Sequence, residues 1–322
     1  MKKLLTILLV FSLLLGLIPG CSANPPDQTG KLQIVCTMFP EYDWVRQILG
    51  AHAEQVELTL LLEDGVDFHS YQPTANDIIR ISSCDLFVYV GGESDAWVED
   101  ALSEAQNQSR QTVRLLDVIG ARARSEEHRE GMQADGHEED DPSALDEHVW
   151  LSLKNASAIC AALADALASV DASHAADYQA NAADYCRKLD ALDSAYAETV
   201  QHAAFDTLLF GGRFPFRYLI EDYGLQYYAA FPGCSTETEA SFETIVFLAE
   251  KLDELALPCL LITDQSEETL AETIRNNTKE KNQSVFLLDS MQSIPHEDIQ
   301  SGATYLSIMQ GNLDVLKSAL NG

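Results

Sequence analysis

The chain has 322 residues, 46% of them hydrophobic, and a formal net charge of −31. Such a composition excludes the low-hydrophobicity disordered class and leaves room for two ordinary domains, each with a core. The acidic excess argues against nucleic acid as a partner, because phosphate binding needs a basic face, and it suits a cationic ligand without fixing one.

At the N-terminus, Lys2 and Lys3 precede an apolar run from Leu4 to Ile18. The run is short of the roughly 20 residues a membrane span needs, so residues 1–20 are predicted to be a signal peptide. It ends in Ile18-Pro19-Gly20-Cys21, which resembles a bacterial lipobox with Cys21 as the lipidated first residue; a plain secretory signal is the alternative. Residues 21–30 read as a tether, and no later apolar run is long enough to cross a bilayer. The other cysteines, Cys36, Cys84, Cys160, Cys186, Cys234 and Cys259, show no CxxC or zinc-finger spacing and mostly lie in apolar runs, which predicts buried free thiols.

Lys31 to Thr37 alternates and predicts a first strand, followed by a helix from Tyr42 to Leu49 that Gly50 stops. Val56 to Leu62 predicts a buried strand. Beyond it comes Gly65-Val66-Asp67-Phe68-His69-Ser70-Tyr71-Gln72-Pro73, with Pro73 expected at the first position of the next helix. His69 thereby lies past the carboxyl end of a strand, where open α/β sheets keep their ligands. Cys84 to Gly92 is a third predicted strand, Trp97 to Ala105 a helix, and Thr112 to Asp117 a fourth strand. Alternating strands and helices predict an α/β fold with parallel sheets and crossovers.

Residues 125–147 are acidic, poor in apolar residues and without period, so they predict a mobile loop; His128 and His137 make it a candidate weak metal-gathering segment. It ends in Asp146-Glu147-His148-Val149-Trp150-Leu151. There His148 follows two carboxylates and precedes an apolar anchor, a setting in which a neutral imidazole can bind metal. A helix from Asn155 to Val170 leads to a longer one from Ala175 to about His202, with Tyr178, Ala182, Tyr185, Leu189, Leu192 and Tyr196 on one face. At 1.5 Å per residue it would be roughly 40 Å long, a stiff connector between two α/β lobes.

The second half repeats the pattern. Predicted strands are Thr207–Gly212, Gln226–Phe231, Cys259–Asp264 and Ser284–Ser290; predicted helices are Phe214–Tyr223, Phe242–Leu255, Glu267–Thr278 and Tyr305–Ala319. Two strands end in carboxylates, Asp264 and Asp289, where an interlobe cleft would open. The expected organisation is an N-terminal lobe over 31–170, a linking helix over 171–203 and a C-terminal lobe over 204–322.

Taken together, the motif around His69, the motif around His148 with its acidic loop, Tyr218 to Leu225 (YLIEDYGL) and Leu287-Leu288-Asp289 resemble the zinc- and manganese-binding lipoproteins that serve bacterial ABC metal importers. The resemblance covers residues 31–320. It implies an extracytoplasmic, membrane-anchored, monomeric receptor that carries Zn2+ or Mn2+ to an importer permease, with the metal in the cleft. It also implies His69, His148 and Asp289 as ligands. The family's remaining ligand position falls on Arg213, whose guanidinium has no lone pair to give. Three readings stay open: Asp264, Glu237 or Glu239 substitutes; three protein ligands act with water or a small anion paired to Arg213; or the cargo is a metal chelate or other anionic solute.

Two imidazoles with a carboxylate favour zinc over manganese, which wants more oxygen. A water-activating metalloenzyme is a rival without a general-base motif such as HExxH. A surface adhesin, a role often ascribed to this family, is a secondary alternative.

Overall fold

The computed structural model describes residues 30–63, 65–103, 106–133, 144–235, 237 and 239–322. Cys21, the signal segment and His137 lie outside them. Residues 32–322 form one compact unit built on two four-stranded sheets, both parallel throughout.

The first sheet comprises β1 (Leu32–Cys36), β2 (Val56–Leu60), β3 (Leu86–Tyr89) and β4 (Gln111–Arg114), in the order β2-β1-β3-β4. Helices α1 (Phe39–Leu49), α2 (Ala75–Ser83), α3 (Trp97–Ser103) and α4 (Leu115–Ile119) connect its strands or follow them. Then come α5 (Leu153–Val170) and α6 (Ala175–Gln201). The second sheet comprises β5 (Thr207–Phe214), β6 (Gln226–Pro232), β7 (Cys259–Ile262) and β8 (Ser284–Leu287), in the order β6-β5-β7-β8. Its helices are α7 (Arg217–Tyr223), α8 (Phe242–Glu254), α9 (Glu268–Asn276), α10 (His296–Gln300) and α11 (Tyr305–Asn321). In each sheet the chain leaves the first strand in one direction and later returns on its other side. That reversal opens a crevice at the carboxyl ends of the strands.

α6 buries Tyr178, Ala182, Tyr185, Leu189, Leu192 and Tyr196, the face read from the sequence. Tyr196 donates to the Met309 carbonyl of α11 (2.6 Å), so the long helix is pinned to the C-terminal half. α5 is apolar enough, by length and composition, to cross a membrane, which the search for long apolar runs overlooked. Its Leu153, Ala156, Ile159, Cys160, Leu163, Ala164 and Leu167 are buried, and it packs along α6 as a core helix. The largest buried cluster runs from Ile34 to Leu320 through both sheets. A second cluster, around Leu209, Leu248, Leu252, Leu260 and Ile274, fills the far face of the second sheet. The two lobes therefore share the larger core, and the second sheet keeps a smaller one of its own.

Several boundaries move for local reasons. Pro73 precedes the cap of α2 rather than opening the helix. Thr74 is the cap, accepting from the Asp77 N–H (3.3 Å), while Asp77 accepts from the Thr74 N–H (2.8 Å). The apolar run after Val113 leaves the sheet at Leu115 and coils into α4; periodicity cannot separate strand from helix in so short a stretch. Phe214 belongs to β5, which bulges between Phe210 and Arg213. The described ends of the 125–147 segment are docked rather than free. Ser125 bridges Leu145, Gln133 N–H donates to the Ala230 carbonyl (2.9 Å), and the Arg129 guanidinium lies 4.0 Å above the Tyr227 ring. His128 is exposed. All six described cysteines are free thiols.

Candidate metal centre

His69 sits in a single helical turn, Phe68–Ser70, just past β2. Asp67 caps the turn, its Oδ1 accepting from the His69 N–H at 2.9 Å. The imidazole Nδ1 is 2.8 Å from Ser94 Oγ, and Ser94 Oγ is 2.5 Å from Glu147 Oε2. A carboxylate takes the hydroxyl proton, so the hydroxyl accepts from Nδ1–H, and the lone pair is left on Nε2. Burial, the neighbouring His148 and the Arg213 cation hold the His69 pKa well below the usual 6.5, which keeps the ring neutral.

His148 is oriented by a different route. Its backbone N–H and its ring Nδ1 both meet Asp146 Oδ1, at 2.9 and 3.0 Å. Asp146 is fixed in turn: the Tyr218 hydroxyl of α7 donates to its carbonyl at 2.8 Å. Beyond the histidine, Trp150 is wholly buried and donates its indole N–H to the Ser290 carbonyl (2.8 Å), while Tyr305 donates to the Trp150 carbonyl (2.6 Å). The segment bearing His148 is thus bolted to the loop after β8.

The two Nε2 atoms end 3.1 Å apart. Two imidazole nitrogens on a tetrahedral zinc, each at 2.0–2.1 Å, would be about 3.3 Å apart. Two lone pairs facing one gap repel each other, and a shared cation removes that cost. Cys234, from the turn after β6, brings its sulfur within 4.8 Å of a ring nitrogen of each histidine, making the one group of three metal-capable donors found among the described residues. Gly233 makes this approach possible. A Cβ there would stand 2.8 Å from His148 Cε1 and from the Phe214 carbonyl. A cavity of about 190 Å³ opens beside the group, lined by His69, Ser94, Glu126, Glu147 and Cys234. Burial pushes the Glu147 carboxyl up to about 7 and raises that of Glu126.

Asp289 lies in the adjoining cavity of about 360 Å³ with Asp264, Asp298 and Gln292. Its Oδ1 accepts from the Met291 N–H (2.8 Å), and burial raises its pKa. Gln292 connects the two spaces, because its Nε2 is 3.0 Å from His148 Nε2. Asp264 Oδ1 caps the turn after β7 by accepting from the Ser266 N–H. Glu237 and Glu239 are exposed. Arg213 Nη2 is 3.0 Å from Asp67 Oδ2, its Nε is 3.8 Å from Glu267 Oε1, and its backbone N–H also meets Glu267. The structure therefore brings His69 and His148 together, sets Asp289 in a separate cavity that Gln292 also lines, and uses Arg213 as a tie between the halves. Ser94 and Gln292 escaped the sequence reading as site residues. Cys234 reads there as a structural thiol; its local signal is its place after a strand in Phe231-Pro232-Gly233-Cys234.

Two parallel lobes on one long helix, with paired imidazoles at the carboxyl ends of the strands, define the helical-backbone class of cleft receptors. The chain belongs to the family described as the periplasmic zinc-uptake complex component A, whose model matches residues 34–319. It is 30% identical over 331 residues to the zinc-binding lipoprotein AdcA of Streptococcus pneumoniae, covering 98% of this chain and 61% of that protein. It is 27% identical over 290 residues to the high-affinity zinc uptake system protein ZnuA of Bacillus subtilis, covering 90% of this chain and 88% of the relative. The crystal structure of the Zn(II)-bound ZnuA-like domain of the pneumococcal AdcA superposes with a TM-score of 0.71 at 28% identity, covering 91% of this chain and all of that domain.

Proposed function

We propose that this protein is an extracytoplasmic receptor that captures a divalent transition metal, zinc before manganese, and delivers it to an ABC importer permease. The observation that carries the reading is the facing pair of imidazoles, Nε2 to Nε2 at 3.1 Å, each with its Nδ1 tied to an acceptor. Nitrogen-rich sites of this size suit zinc, and manganese prefers oxygen. His69 and His148 are the core ligands. Asp289 supplies a carboxylate once Gln292 has released His148 Nε2. The metal is cargo, and the family membership supports a substrate-binding receptor rather than a catalyst.

The chain spans 61% of the length of the pneumococcal relative, so the delivery step, the permease and a monomeric state are part of this proposal. So is anchoring through Cys21, for which the lipobox-like segment and a relative named as a lipoprotein speak. An anionic or chelated cargo would need a free Arg213, and that guanidinium already engages Asp67 and Glu267.

Metal analysis of protein purified without added metal, followed by zinc and manganese titrations of the stripped protein, tests the reading. Near-stoichiometric zinc, bound far more tightly than manganese, is expected. A stripped protein that takes up neither ion would overturn it.

A further inference from the structure

Both histidines come from the first half of the chain, yet a receptor that closes on its cargo needs a donor from each half. We propose that the Cys234 thiolate is a further ligand from the second half, beside Asp289, so that the ion is held by two imidazoles, one sulfur and one carboxylate and bridges the cleft. This rests on the metal-receptor reading and goes beyond it. The site becomes thiophilic and discriminates by softness as well as by geometry.

Three observations converge. The sulfur lies within 4.8 Å of a ring nitrogen of each histidine. The Cys234 backbone is held in place, its N–H donating to Glu126 Oε1 at 3.0 Å from the docked end of the acidic segment. Gly233 lets that turn press against the His148 ring, where any side chain would collide. Around a tetrahedral zinc with Zn–N of 2.0–2.1 Å and Zn–S of 2.3 Å, nitrogen and sulfur would sit roughly 3.6 Å apart. Closing the gap takes a movement of about an ångström, the scale of a small lobe closure. On loading, the S–H bond breaks, the S–metal bond forms, and the proton leaves to water through the adjoining cavity. Thiolate also explains how the site functions with Arg213 where the family pattern places a ligand. The lost donor returns from the neighbouring strand's end, and softness shifts preference further from manganese.

The test uses Co(II) as a spectroscopic stand-in for zinc. The stripped wild type loaded with Co(II) is expected to show tetrahedral d–d bands together with a near-ultraviolet thiolate-to-cobalt charge-transfer band. Cys234→Ser should still take up Co(II) through the histidines, lose the charge-transfer band and bind zinc about 100-fold more weakly, because even outer partners of ligands are worth 10–100-fold. Its zinc-over-manganese preference should narrow. Cys186→Ser, on α6, should keep the band, and matching thermal melts of the stripped proteins guard against misfolding. A wild type that binds Co(II) with d–d bands but no thiolate band overturns the proposal and leaves the receptor reading standing. A wild type that binds neither Co(II) nor zinc overturns both.

Discussion

Arg213, at the end of β5, reaches across to Asp67 on the His69 turn, Nη2 to Oδ2 at 3.0 Å. Asp67 in turn accepts the His69 N–H. A cation from one half of the molecule thereby steadies the residue that aims a metal-binding imidazole on the other. Replacing it should separate two effects. Arg213→Met takes the shared cation from Asp67 and Glu267 in a partly buried place, which should cost the stripped protein about 1–2 kcal/mol, less than the 3–5 typical of fully buried pairs. The same change removes a positive charge beside His69, so zinc should bind more tightly. Melting curves with and without zinc check both signs; a variant with unchanged stripped-state Tm would show that the pair holds nothing.

His69→Ala and His148→Ala should each weaken zinc binding by about 100-fold or more, since loss of a direct ligand exceeds loss of its outer partner. The melting temperature gained by zinc should vanish with it, because a bound ligand stabilises only in proportion to its affinity. Retention of tight zinc by His148→Ala would relocate the site.

The acceptors behind the rings are separately testable. Ser94→Ala cuts the link from Glu147 to His69, and Asp146→Asn disturbs the proton placement on His148. Each should lower zinc affinity by 10–100-fold while the metal stays bound at high concentration. Calorimetric titration reads the effect. If Ser94→Ala matches the wild type, the Glu147–Ser94–His69 relay does not orient the ring.

Glu41 supplies a pH dependence away from the metal. It is fully buried, and Oε2 accepts from Thr37 N–H, Thr37 Oγ and Met38 N–H at 2.9, 3.0 and 3.2 Å. Those bonds favour the anion, but burial and the Asp95 charge outweigh them and push the carboxyl up to about 8 from its ordinary 4.5. The folded state thus holds a proton that the unfolded chain releases. That contribution to stability is fully present below about pH 4.5 and is lost as pH rises through about 8. Glu41→Gln imitates the protonated acid and should flatten this decline in denaturant midpoints measured between pH 5 and 9. Parallel profiles for variant and wild type would contradict the assignment.

Much of the fold was legible because its signals are local. The α6 face, Tyr178 to Tyr196, repeats at steps of three and four, and only a helix buries such a set on one side. The strands read as short apolar runs between turn residues. Boundaries slipped where one signal serves two structures, as at Leu115 and Phe214. The second half of the site was less legible. Ser94 is a plain loop serine in sequence, and its importance comes from lying between Glu147 and His69, which are 53 and 25 residues away along the chain.

By itself the sequence determined the strand-and-helix order, the long connecting helix, one histidine past a strand end and another closing the acidic segment, because periodicity, caps and turns are written in neighbouring residues. Only the tertiary structure decided which donors share a point in space. It set His69 against His148, brought Gln292 onto His148 from a cavity that Asp289 also lines, turned Arg213 into a tie, and brought Cys234 beside both histidines. The reason is geometric. A metal centre is defined to within about half an ångström, and that precision comes from packing two sheets across one shared core, which no local run of residues encodes.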